Sequence, residues 1–258
     1  MQELIWTIVI ATLVFLPLEL VLPARRAGWG GWQRIRTDLL HVFVGGMAIR
    51  FGTALLAVAL LFPFRIETAI DLPLWLQVPA VLVLCDLMFW LAHRLFHAVP
   101  VLWRFHAIHH CSEKLDFLAA FRVHPVDQIV NSTIIAAPVV LLGFSPEALA
   151  IYAVAYKWHA LLLHSNVRLS LGPLDALIAT PAFHHWHHAD QPDAYDRNFG
   201  GQLLIWDRLF GTLNWRGGTF PETYGIEENL PENYISHMVA PFVPSKEPAY
   251  EDATAPLR

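Results

Sequence analysis

Residues 93–110 read HRLFHAVPVLWRFHAIHH, and five of the chain's fourteen histidines fall within them. His93 and His97 stand four apart, while His106, His109 and His110 are spaced three and then one. On a helix, positions i, i+3 and i+4 share a face, so each group is expected to send its imidazoles one way. Pro100 lies between the groups, where it interrupts the helix and lets the second group turn to face the first. Some seventy residues further on, FHHWHH repeats the H-x-x-H-H spacing with His184, His187 and His188. A lone H-x-x-x-H pair recurs by chance and favours a structural or surface role. Three clusters with two matching spacings reverse that reading, because interface histidines give no reason for separate segments to share a spacing. Eight neutral imidazoles are too many for one four-coordinate zinc and suit two metal ions.

The composition places these clusters beside a membrane. Apolar residues make up 55% of the 258 residues and charged ones 15%, with a mean hydropathy of +0.44, whereas soluble domains carry about 25% charged residues. A net charge of −5 shows no basic excess, which argues against nucleic acid as a partner. Cys85 and Cys111 do not form a disulfide framework and are read as reduced.

The expected fold is all-α, an integral membrane bundle of about three long spans and a shorter helical hairpin, with a cytoplasmic histidine-rich helical cap. Residues 4–22 form the first apolar run, read as a retained anchor since its arginines follow it instead of preceding it. Arg25, Arg26, Arg34 and Arg36 mark the loop 23–37 as cytoplasmic, which puts the N-terminus outside. The second span covers about 39–62, where Gly45, Gly46 and Gly52 permit close helix contact. The third, about 74–97, delivers His93 and His97 to the cytoplasmic end. Two runs at about 126–142 and 147–163, joined by GFSP, are shorter than the roughly 20 residues that cross a bilayer and form the hairpin. Every box histidine then lies on one membrane face. Residues 1–240 read as a single membrane-embedded domain and 241–258 as a polar, Pro-rich tail.

An all-nitrogen dinuclear centre walled by apolar residues suits oxygen activation better than structural zinc. HRLFH, WRFHAIHH and FHHWHH, with RVHP at 122–125 and WDRLFGT at 206–212, resemble the fatty acid hydroxylase/sterol desaturase superfamily of integral membrane di-iron enzymes. The resemblance covers about residues 80–215. It implies two irons that use O2 and two external electrons to hydroxylate or desaturate an unactivated C–H bond of a lipid. The family's boxes map onto His93 and His97, onto His106, His109 and His110, and onto His184, His187 and His188. Members add histidines between the last two boxes; His164 is the best match, His159 the next, and His124 follows. Sterol, fatty acyl chain, ceramide-like lipid, carotenoid and alkylglycerol ether all remain open as substrates, with hydroxylation favoured slightly over desaturation. The sequence shows no haem, flavin or nicotinamide motif, so electrons are expected from a separate ferredoxin-like or cytochrome b5-like protein. The implied location is multi-pass, in a bacterial inner membrane or the eukaryotic endoplasmic reticulum.

Other polar residues carry two readings. Asp86 lies seven residues before His93 and either orients a ligand imidazole or makes a helix-packing hydrogen bond. Asn198 supports the site or serves with Asp207 in a turn. His185 points away from its neighbours' face, and His41 is a hydrogen-bonded structural residue. Two readings compete with the enzyme. A metal transporter or sensor would place ion sites on broken helices near mid-bilayer, whereas these histidines sit at span ends. A structural membrane protein binding adventitious zinc is the other.

Overall fold

The computed structural model describes residues 2–26, 31–46, 49, 52, 53, 56, 60–64, 66, 68–227 and 230–243. Among these residues the regular structure is helical, and extended pairing is limited to isolated bridges such as Pro23 with Val167 and Ile178 with Leu203.

Helix α1 (Gln2–Val21) buries Leu4, Thr7, Ala11 and Phe15, a stripe at helical spacing. Phe15 stacks on Phe117 at 5.8 Å between ring centroids, while Trp6, Leu13 and Leu20 on its other sides are exposed. Helix α2 (Trp32–Leu40) continues into a wider turn at His41–Gly45. Most of the expected second span, and the tail from 244, lie outside the described residues. Gly52 is described, and there an added Cβ would come within 2.5 Å of Ile129 Cδ1, so its missing side chain permits the close helix contact anticipated from sequence.

Three helices form the central core. These are α3 (Leu74–Ala98), α5 (Pro125–Leu141) and α6 (Pro146–His164), which bury Val81, Cys85, Ile135, Val139, Ala148 and Tyr152 against one another. The hairpin boundaries agree with those read from sequence to within a residue. Local chemistry sets them: Ser145 Oγ caps α6 by accepting from Ala148 N, Pro146 occupies its first position, and Gly143 closes α5 at φ +74°. Among the described residues, α1 at 20 residues and α3 at 25 are long and apolar enough to cross a membrane.

The chain reverses at Val99, whose extended backbone (φ −105°, ψ 113°) ends α3 and admits Pro100 as the first residue of α4 (Pro100–His110). Short helices α7 (Pro181–His187), α8 (Ile205–Leu209) and α9 (Tyr234–Val239) follow, as expected of a segment that loses its long apolar runs. Residues 32–37, expected in a loop, are helical. Arg34, counted there as a free loop charge, is buried and pairs with Asp116 at 2.6 Å and Asp38 at 3.4 Å. Arg122, fully buried, bridges Asp38 and Glu232, each at 2.7 Å, tying α2 to the segment after α4.

Removing one partner from such a buried network leaves an uncompensated charge, so Arg122→Ala is expected to destabilise the fold by about 3–5 kcal/mol. Arg122→Lys should recover only part of this, because an ammonium cannot reproduce the planar fork. Thermal midpoints of the purified variants in detergent measure both.

Candidate metal centre

Four elements bring nine histidines together. His93 and His97 come from the end of α3, and His106, His109 and His110 from α4. His164 is the last residue of α6; His184 and His187 lie on α7 with His188 at its C-cap. They form two groups, His93, His97, His106, His110 and His187, and His109, His164, His184 and His188. Within each group the candidate ligand nitrogens lie no more than 4.8 Å apart. Each H-x-x-H-H box therefore divides instead of pointing one way. At about 100° per residue, positions i and i+4 lie on one flank of the box and i+3 on the other. His106 and His110 join the first group while His109 joins the second; His184 and His188 join the second while His187 joins the first.

Hydrogen bonds on the far side of the rings fix their tautomers. Nδ1 of His93 donates to the Phe199 carbonyl at 2.9 Å, His109 to Arg122 O at 3.1 Å, His164 to Ala160 O at 2.8 Å and His187 to Arg197 O at 2.8 Å. His106 Nδ1 donates to Asp127 Oδ2 at 2.7 Å and His97 Nδ1 to Asp196 Oδ1 at 3.2 Å. A carbonyl or carboxylate can only accept, so each of these rings keeps its proton on Nδ1 and turns an Nε2 lone pair inward.

The inward atoms show what they are built to hold. Nε2 of His109 and Nε2 of His164 face each other at 3.1 Å, and both Nδ1 atoms already carry the proton. Two lone pairs at that distance repel unless a cation lies between them. Metal–imidazole bonds are about 2.0–2.1 Å, which sets donors on one ion roughly 3 Å apart. His184 Nε2 stands 3.1 Å from the Nε2 atoms of both His164 and His188, and His106 Nε2 is 3.2 Å from His110 Nε2. Nε2 of His93, His97 and His187 is buried without a partner. The donor set fits metal ions. Burial, reinforced by neighbouring imidazoles, holds His109, His110, His184 and His188 well below the ordinary range and His187 at about 3. These rings remain neutral, as a ligand must be.

The structure places two expected ligands elsewhere. His159 Nε2 bonds the Ala179 carbonyl at 2.8 Å, and His159 belongs to neither group. His124 caps α5, accepting from Val126 N at 3.1 Å, and its Nε2 meets Met238 O at 3.3 Å. His185 lies between the Tyr224 hydroxyl at 2.8 Å and Ser165 O at 3.1 Å, outside both groups. His41 bonds Val123 O and His237, each at 3.1 Å.

Asp86 and Asn198 touch no imidazole. Two helical turns separate Asp86 from His93, about 10 Å along the axis. It accepts instead from Gln202 N at 2.8 Å, Leu203 N at 3.1 Å and Trp206 Nε1 at 2.9 Å. Asn198, at φ +60°, bonds Phe183 O at 3.0 Å and accepts from Asn214 N at 2.7 Å, clamping the loop onto α7. Asp207 accepts from Phe199 N at 2.9 Å and Gly200 N at 2.7 Å. Sequence reasoning missed Asp127, three residues beyond the His124 that it ranked last among the added histidines. An acid in the first turn of an apolar helix was the available signal.

A cavity of about 190 Å³ opens against this site, bounded by His93, His106, His109, His164 and His184 and by apolar Phe89, Phe96 and Leu161. A larger one, about 440 Å³, is lined by charged residues including Glu19, Arg25, Asp116 and Glu222 and reaches none of the nine histidines.

The chain belongs to the fatty acid hydroxylase family, whose model matches residues 78–212. It is 34% identical over 171 residues to an ornithine lipid hydroxylase of Rhizobium tropici, covering 66% of this chain and 51% of that protein. It is 35% identical over 128 residues to the alkylglycerol monooxygenase of Danio rerio, and 36% over 131 residues to that of Homo sapiens, covering 50% of this chain and 28% of each relative. The chain thus spans about half the length of the first relative and under a third of the other two. No solved structure matches it.

Replacing Asp127 by Leu frees the His106 ring and is expected to weaken metal binding about 10–100-fold. His184→Ala should lose metal outright, while His159→Ala should retain it; chelator competition measures all three. Acid should act alike on the metal-free protein. His187 titrates at about 3 when folded and near 6.5 when free, so below about pH 6.5 the unfolded chain binds more protons and stability falls as pH drops. Thermal melts across pH 5–8 check the sign.

Proposed function

We propose that the chain is a membrane-embedded di-iron hydroxylase of a lipid. Its nine clustered histidines hold two irons, His93, His97, His106, His110 and His187 around one and His109, His164, His184 and His188 around the other. The observation that carries this reading is the inward array of Nε2 atoms, locked in six of the nine rings by outward Nδ1 hydrogen bonds, against a largely apolar cavity. When bound, the irons supply O2 activation. The overall reaction combines the lipid C–H, O2, two electrons and two protons to give the alcohol and water.

The chain's own residues supply position and environment. Phe89, Phe96 and Leu161 exclude water and align an alkyl segment beside the histidines. The Phe199, Arg197 and Arg122 carbonyls and Asp127 hold the imidazoles in one tautomer. The apolar outer faces of α1 and α3 embed the fold in a membrane, which places the cavity within reach of lipid. Residues 1–240 act as one domain, multi-pass, with the histidines on the cytoplasmic side. Electrons come from a separate protein. The named relatives act on an ornithine lipid and on alkylglycerols, which supports a polar lipid over a bare hydrocarbon as the substrate here.

Protein purified in detergent should contain about two irons per chain. Host lipids should gain one oxygen from labelled O2 when the chain is expressed, by mass spectrometry. His106→Ala and His187→Ala should abolish that product; oxidation persisting in either variant would overturn the assignment.

A further inference from the structure

We propose that Lys157, with Asn131 and Tyr156 beside it, anchors the lipid by an anionic oxygen group, a carboxylate or a phosphate. The inference rests on the hydroxylase reading and names the charge its substrate must carry. All three residues line the 190 Å³ cavity. Asn131 follows Asp127 by four residues on α5, about 6 Å along the axis, and Asp127 holds His106. Tyr156 and Lys157 precede His164 by eight and seven residues on α6, about 10–12 Å along its axis. Helix α5 leads away from the histidines and α6 returns to them, so the three residues form one polar band set back from the site.

Each of the three offers a donor that the protein leaves unused. Asn131 Oδ1 is shut in without a partner, so Nδ2 is the polar atom of that side chain left accessible. The Tyr156 hydroxyl has no partner among the described residues, and its ring is held edge-on to Phe89 at 5.7 Å. Lys157 Nζ donates to Thr7 Oγ1 at 3.2 Å, which accounts for one of its three N–H groups. Its contact with Trp158 is long, 6.0 Å to the ring centroid. Asp127 is the one carboxylate among the described residues lining this cavity; it is engaged by His106 and lies beyond ion-pair distance of Lys157. An ammonium among apolar helices is costly unless an opposite charge meets it. No described side chain supplies that charge, so the ligand does. The rest of the wall includes Phe89, Phe96, Phe121 and Leu161, which accept alkyl chain. At about 190 Å³ the cavity holds the anionic group and the carbons next to it, since sites that enclose a whole ligand run to about 300–1,000 Å³.

Two matched probe pairs test this on the metal-loaded, full-length protein in detergent, with affinities expressed per ligand in the micelle. One pair is hexadecanoate and its methyl ester; the other is hexadecyl phosphate and its dimethyl ester. Wild type should bind the anion of at least one pair about tenfold more tightly than its uncharged counterpart. The pair that discriminates identifies carboxylate or phosphate as the recognised group. Lys157→Met, close in size, should remove the preference and Lys157→Arg should keep it, with metal content the same in both. Tyr156→Phe and Asn131→Leu should each weaken the preferred anion by about two- to tenfold; no loss in either overturns their part in the anchor. Equal binding of both members of both pairs by wild type overturns the proposal. A preference that survives in Lys157→Met places the anion elsewhere, on the metal ions included, and overturns it too. Should Lys157→Met fail to fold, Lys157→Gln, which also lacks the charge, takes its place. Oxidation of host lipids is read separately: a preference lost in Lys157→Met, with no oxygen gained by any host lipid, would overturn the hydroxylase reading and leave the anchor standing.

Discussion

Nine imidazoles buried together create a constraint that most of the surrounding structure answers. Each neutral ring has one proton to give. Where that proton goes outward to a carbonyl or carboxylate, as in His109 and His164, the remaining lone pairs are left facing each other at 3.1 Å. Such an arrangement opposes its own assembly until a cation shares the electrons. It persists only if the backbone that carries the rings is held by other interactions, and burial keeps the rings from escaping the conflict by protonation.

Those other interactions lie away from the histidines. Asp86 and Asp207 receive the backbone N–H groups of residues 199, 200, 202 and 203, fixing the loop that presents the Phe199 carbonyl to His93. Arg122 is bound through its side chain to Asp38 and Glu232, while its carbonyl receives His109. Acids in α2 and α3 thus act on the clustered histidines through backbone, at a remove of one or two hydrogen bonds. Gly201 belongs to the same design: an added Cβ would lie 2.7 Å from Phe89, so the loop can rest on α3 only because that side chain is missing.

The apolar helices serve two purposes with opposite faces. Their inner stripes build the core shared by α3, α5 and α6 and wall the cavity; their outer faces leave residues such as Leu13, Val83 and Leu91 exposed for lipid. A buried polar residue is conspicuous in that setting. Asp127 is used by His106.

Spacing alone determined much of this protein. Helical periodicity, Pro100 and the repeated boxes were enough to locate the eight box histidines, the reversal between α3 and α4, and the hairpin boundaries, because these follow from local geometry within a few turns. Tertiary structure decided how the histidines are shared. The division of each box between two groups depends on the angular offset of i+3 from i and i+4, and on which helix packs against each flank. Packing likewise brings His164 into the cluster and leaves His159 and His124 outside both groups, since a histidine's partners come from segments distant in sequence: Ala179 for His159, Met238 for His124. Asp127 escaped notice for the same reason. Its role exists only where α5 crosses α4, and no pattern along the chain records that crossing.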